Sequence, residues 1–203
     1  MRKRKRRIPT FFWEYPKHTP PDSDTRFYRL RLTGMVERPM SLSLEDLRSR
    51  FQFTERRRRF YCVNGFSLEA LWGGFMLGDV LGVAEPKGPF VRAVSLGGFE
   101  DTSPIDELVR HQAMLVTHMN GTPLELKRGK PIRLMHFHQY QFRAVKAVGE
   151  LQVVAEMREG TWAKVGYTDA TIQPYPHLAI DRDEHLMPDD NVLDLSRDNS
   201  TYQ

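Results

Sequence analysis

Apolar and polar positions alternate along much of the chain, always in short stretches. Tyr28-Arg29-Leu30-Arg31-Leu32 puts every second side chain on an apolar face, the period of a half-buried strand. Phe90 to Ser95 and Met114 to Met119 also read as strands, and Asn120-Gly121 between the latter and Pro123-Leu124 is a tight-turn signal. Pro131 to Phe137 and Val145 to Val154 are further expected strands, and Phe53 to Tyr61 reads as extended although Arg56 to Arg59 interrupt its apolar alternation. Helical signals are brief. Ser43 offers an N-cap to a helix through Leu47, with Glu45 and Asp46 well placed against the dipole of its first turn. Short helices are expected at Leu68 to Trp72 and Gly78 to Leu81. Helices this few, scattered among strands rather than alternating with them, predict a mixed α+β architecture and not a doubly wound sheet.

The ends of the chain differ from its middle. Residues 1–25 form a basic arm, with Arg2 to Arg7 all cationic and Pro9, Pro16, Pro20 and Pro21 breaking any regular element. Residues 176–203 form an acidic extension that includes Asp181, Asp183, Glu184, Asp189, Asp190, Asp194 and Asp198. The net charge of +4 conceals this asymmetry. Between them, residues 26–175 suffice for one domain with a good-sized core, and 40% apolar with 28% charged residues is ordinary globular composition. The single cysteine excludes an internal disulfide framework. After Arg7 no apolar run of export length follows, and no window approaches the roughly 18 apolar residues that span a bilayer. The expectation is a soluble, cytoplasmic protein without a membrane span.

The candidate chemistry centres on that cysteine. Arg59-Phe60-Tyr61-Cys62-Val63-Asn64-Gly65-Phe66-Ser67, followed by Leu71-Trp72-Gly73-Gly74-Phe75-Met76-Leu77, resembles the molybdenum-cysteine segment of the sulfite oxidase-like molybdopterin oxidoreductases. Four more segments follow in the family's order. Ser95-Leu96-Gly97-Gly98-Phe99 matches a segment whose Ser or Thr touches the pterin. Asn120-Gly121-Thr122-Pro123-Leu124 looks like its N-G-x-P-L turn, and Arg128-Gly129-Lys130-Pro131-Ile132-Arg133-Leu134 resembles its [HN]-G-x-P-[LV]-R-L. Tyr140-Gln141-Phe142-Arg143-Ala144-Val145-Lys146 stands where the family has Y-G-[YF]-K-x-x-K. The resemblance spans about residues 26 to 170.

The resemblance implies a sulfite oxidase-like fold and a molybdenum-dependent oxidoreductase that moves an oxygen atom to or from a small substrate, a sulfite-like anion or a sulfoxide. Its cofactor is then Mo-molybdopterin, or a variant with a nucleotide on the phosphate. Cys62 becomes the catalytic residue and the protein's metal ligand. A thiolate is a soft donor suited to molybdenum, and metal binding with a nearby cation such as Arg59 keeps it ionised. The pterin ends in a phosphate, which calls for convergent cations. On the matched motifs these are Arg133, Arg143 and Lys146, joined by Arg128, with Ser95 and Val145 as further cofactor contacts. Trp13 and Glu14, in Phe12-Trp13-Glu14-Tyr15, are similar to a Y-Y-E-F segment of the family's methionine-sulfoxide-reductase branch. A competing alignment places Lys17-His18 there. Gln141 departs from the pattern by replacing a glycine, Arg128 by replacing His or Asn, and Ala147 stands where tryptophan is frequent. The chain is too short to add a haem domain to this core, so a separate electron-transfer partner is implied.

Two other functions compete. The basic arm with Phe11, Phe12 and Trp13 fits salt-sensitive, sequence-blind nucleic-acid binding, but the remainder carries no recognisable nucleic-acid module. A family fold that has lost catalysis and serves as an interaction protein is the other, and retention of Cys62, Arg133 and Lys146 argues against it. His136-Phe137-His138 sets two imidazoles on one side of an expected strand, a spacing seen in zinc sites, without further ligands at matching spacing.

Overall fold

In a computed structural model of the protein, residues 25–62, 66–165 and 192–194 are described. Two mixed sheets with few short helices make up the fold. The first sheet orders its five strands β2-β1-β10-β5-β6, from β1 (Leu30–Gly34), β2 (Met40–Leu42), β5 (Phe90–Ser95), β6 (Glu100–Pro104) and β10 (Val148–Val154). Its central pairing is parallel and long-range, with Leu32 opposite Leu151. In the second sheet β4 (Phe66–Met76) pairs along one edge with β3 (Thr54–Cys62) and along the other with β7 (Met114–Met119) and β11 (Val192–Asp194). Strand β7 pairs in turn with β8 (Thr122–Pro123) and β9 (Arg133–Met135).

The three α-helices are α1 (Leu44–Arg50), α2 (Leu77–Gly82) and α3 (Ile105–Arg110). Helix α1 begins as the sequence predicts. Ser43 Oγ accepts the Asp46 N–H at 3.0 Å and the Asp46 carboxylate accepts the Ser43 N–H at 2.9 Å, a reciprocal cap that satisfies two otherwise orphaned donors. The main core lies between the first sheet, the helices and one face of the second sheet, and includes Leu30, Leu32, Leu47, Phe75, Leu77, Leu115, Leu134 and Leu151. A smaller core on the other face of the second sheet holds Phe60, Leu68, Ala70, Trp72, Met114, Val116 and Met135. Alternation along β7 and β9 sends neighbouring residues into different cores, as with Leu134 and Met135.

Several expectations are corrected. Leu68 to Trp72, read as a helix, is the middle of β4. Leu, Glu and Ala there favour a helix, but pairing on both edges and the period-two burial of Leu68, Ala70 and Trp72 override that weak preference. The strand expected from Val145 starts at Val148, because Ala147 takes a left-handed φ of 48°. Pro131 to Phe137 contributes only Arg133–Met135 to a ladder. Strand β6, whose Glu-Asp-Thr-Ser-Pro lacks any apolar signal, and helix α3 were not anticipated. The Asn120-Gly121 turn is present as expected, with positive φ at both residues.

Candidate cofactor site

Of the expected site residues, Arg128, Arg133, Val145 and Lys146 gather where the Leu126–Arg128 3-10 turn, β9 and the chain entering β10 meet. Gly129 caps that 3-10 turn at φ 110°, a conformation that costs glycine little. A Cβ on Gly129 would lie 3.1 Å from the Cβ atoms of both Arg133 and Lys146. The glycine therefore seats two cationic residues against one another across a bare stretch of backbone. Ala147 locks the arrangement, its N–H donating to Gly129 O at 3.2 Å and its carbonyl accepting the Leu96 N–H at 2.8 Å. This second bond brings Ser95, at the end of β5, beside the Lys146 segment.

Arg133 and Lys146 are each only 5% exposed, unusual for cations. Arg133 Nη2 donates to Gln141 Oε1 at 3.1 Å, and Lys146 Nζ donates to Lys127 O at 2.8 Å. Both acceptors are neutral, so neither bond cancels the charge. Arg133 points to the same side of β9 as Met135, and its guanidinium carbon lies 6.0 Å from the centroid of the Phe60 ring. Phe60 precedes Cys62 by two residues on β3. Cys62 closes that strand opposite Phe66, at the hairpin whose tip lies outside the described residues.

The other expected residues are placed as follows. Ser95 is buried and its Oγ accepts the Gly97 N–H at 3.1 Å, which shapes the loop after β5. Val145 is buried in the main core, with its carbonyl accepting the Leu134 N–H at 2.9 Å. Arg128 borders the cluster, its Nη1 3.8 Å from Met119 Sδ and its Nε 3.9 Å from Glu125. Arg59 stands opposite Glu69 in the β3–β4 ladder and pairs with it at 3.6 Å. Arg143, expected at a phosphate, donates from Nε to Asp101 at 2.9 Å and from Nη2 to Thr102 O at 2.5 Å. Trp13 and Glu14 lie outside the described residues.

Three further features shape the site, and of these only Asp101 has no signal in the sequence. Asp101 sits in a polar strand with no apolar signal to mark its burial. Gln141 stands in the sequence only as a departure from a glycine position. In the fold it opens the Gln141–Arg143 3-10 turn, which packs on β3, and its side chain bridges Arg133 and the His136 carbonyl. His136 and His138 form the third feature. His136 Nδ1 lies 2.8 Å from Gln139 Oε1, whereas His136 Nε2 and both His138 ring nitrogens are buried without a hydrogen bond. Burial chiefly, and then the nearby Arg143, pushes His136 down to about 3. Burial, then His111 and Arg143, lowers His138 to about 4. Both imidazoles are neutral acceptors at pH 7. Among the described residues no group of three His, Cys, Asp or Glu is arranged to hold a metal ion.

Two sheets flanked by short helices, with two buried cations near the strand that ends in the lone cysteine, describe a domain built around an inward-facing cationic site. The chain belongs to the oxidoreductase molybdopterin binding domain family, which matches residues 17–162. It is similar to the protein-methionine-sulfoxide reductase catalytic subunit MsrP of Xanthomonas campestris pv. campestris, 31% identical over 152 residues that cover 66% of this chain and 47% of that protein. It is also similar to the uncharacterized oxidoreductase YuiH of Bacillus subtilis, 30% identical over 148 residues, covering 71% and 74% respectively. The chain spans about half the length of the MsrP proteins it matches, 47% in Xanthomonas campestris and 53% in Campylobacter jejuni. The crystal structure of the sulfane dehydrogenase SoxCD from Paracoccus pantotrophus shares the fold, with a TM-score of 0.62 at 22% identity over 68% of this chain and 41% of that one.

The chain is thus a member of a molybdopterin-binding oxidoreductase domain family. Its residues fit the phosphate end of that cofactor: a glycine cradle that a Cβ would fill, flanked by two buried cations. Among the described residues no helix is long and apolar enough to cross a membrane.

Proposed function

We propose that the protein transfers an oxygen atom to or from a small substrate, with molybdenum held by Cys62 and the pterin phosphate held by Arg133 and Lys146. The observation that carries this reading is the seating of Arg133 and Lys146 across Gly129, with the Arg133 guanidinium over Phe60, two residues before Cys62. Molybdenum, when bound, supplies two-electron chemistry of the form X + H2O ⇌ XO + 2e⁻ + 2H⁺. The chain's own residues bind and orient: Arg133 and Lys146 set the phosphate end, Ser95 shapes the neighbouring loop, and Cys62 supplies the soft anionic donor. Arg128 is a further cation at the rim. Electrons pass to or from a separate carrier.

A sulfoxide and a sulfite-like anion are the two substrate classes to test, and the MsrP relatives favour the first. Reduction consumes two electrons and two protons and yields sulfide and water; sulfite oxidation consumes water and releases them. The test is Cys62→Ser in a host that makes the cofactor. Serine is nearly isosteric but does not ionise to a soft ligand, so molybdenum per chain and dye-linked turnover with methionine sulfoxide or sulfite should both collapse in a folded protein. Wild-type molybdenum content and activity in Cys62→Ser would refute the reading.

A further inference from the structure

We infer that Gln141 is a positioning residue for the phosphate clamp, holding Arg133 in the orientation in which it meets the pterin phosphate. The inference rests on the phosphate reading of Arg133 proposed above. Gln141 is 7% exposed, and both ends of its amide are used. Its Oε1 accepts from Arg133 Nη2 at 3.1 Å, and its Nε2 donates to the His136 carbonyl at 2.7 Å. The second bond fixes the first. An amide held by a main-chain carbonyl cannot swing away, so its oxygen presents one direction to the guanidinium. A glycine at this position supplies neither bond.

The chemistry of the amide matters as much as its place. A carboxylate there would hold Arg133 but also cancel its charge, and the site would lose attraction for an anion. An apolar side chain would leave a long, rotamer-rich arginine to be ordered by the ligand itself, at a cost in affinity. A neutral acceptor orients the guanidinium without placing a negative charge beside the phosphate. The same 3-10 turn sends Arg143 to Asp101, so the clamp is braced against strand β6 through two residues of sequence.

The test uses full-length protein purified with its cofactor, comparing wild type, Gln141→Met, Gln141→Glu and Arg133→Ala. Pterin per chain and the rate of pterin release are measured by fluorescence after oxidation, with the melting temperature of the same samples. Met fills the volume without hydrogen bonds, and Glu keeps the acceptor but adds charge. Both Gln141 variants should release pterin about tenfold faster than wild type, Met because Arg133 loses its orienting acceptor and Glu because its carboxylate competes with the phosphate for the guanidinium. A purely structural Gln141 would lower the melting temperature and leave the release rate of the folded protein unchanged. Release at the wild-type rate in either variant overturns the inference. If Arg133→Ala also retains pterin normally, the phosphate reading of Arg133 itself fails; if Arg133→Ala alone releases it quickly, only the role of Gln141 does.

Discussion

Arg143 and Asp101 form an ion pair in which Nε lies 2.9 Å from Oδ2 and both side chains are more than nine-tenths buried. Forty-two positions separate them in sequence, and the pair ties the Gln141–Arg143 turn to strand β6. Thr102 O takes a second guanidinium N–H, and the Asp101 carboxylate packs on Gly160 where a Cβ would collide with it. A buried charge stripped of its partner is costly, because no water replaces the lost interaction. Asp101→Asn should therefore destabilise the protein by about 3–5 kcal/mol, measured by urea unfolding. Replacing both residues, as Asp101→Leu with Arg143→Met, should cost less than the sum of the two single changes. Additivity in that cycle would show that the pair is not coupled.

Gly129→Ala meets two obstacles at once. Alanine is strained at φ 110°, and its Cβ would sit 3.1 Å from those of Arg133 and Lys146. Strain of this kind costs of order 1–3 kcal/mol, and relief requires the two cationic residues to move apart. Melting temperature and pterin content should both fall. A variant that is destabilised yet fully loaded would separate the glycine from the cofactor.

Lys146→Ala should lower cofactor retention, since a charge-assisted bond of about 1.5–3 kcal/mol is lost. The expected pattern is reduced pterin after gel filtration with little change in the far-ultraviolet circular dichroism. Normal pterin content would leave Lys146 as no more than a support for the Lys127 carbonyl.

Acid sensitivity follows from the buried imidazoles. His136 is held down to about 3 and His138 to about 4, against an ordinary value of 6.5 in the unfolded chain. Above pH 6.5 both states are neutral and the histidines do not bias folding. As pH falls below 6.5 the unfolded chain gains protons that the folded one refuses, so stability declines steadily toward pH 3. His136 alone should account for about 2 kcal/mol at pH 5. Unfolding midpoints from pH 7.5 to 4.5 should show this slope, and His136→Gln should flatten it.

Much of the site could be read from residue types at fixed spacing. Cys62, Arg133 and Lys146 stand on motifs that the sequence carries locally. Strand β5 follows from alternation and strand β7 from a short apolar run. What could not be read depends on contacts distant in sequence. Leu68 to Trp72 is helical by composition and becomes a strand only because β3 pairs along one edge while β11 and β7 pair along the other. Asp101 has no local mark of burial; its partner is elsewhere in the chain. Gln141 showed only as a breach of pattern, and its use emerged when Arg133 and His136 O were found at its two ends.

The parallel pairing of β1 with β10 also sets an order on synthesis. Strand β1 leaves the ribosome some 120 residues before the neighbour that joins it to β5, with Leu32 waiting for Leu151. Until then two strand edges stand open, and contacts closed over such distances form slowly. Arg133, Gln141 and Lys146 emerge just ahead of β10 in the same late stretch. The nascent chain thus completes its first sheet and the proposed cofactor clamp almost together.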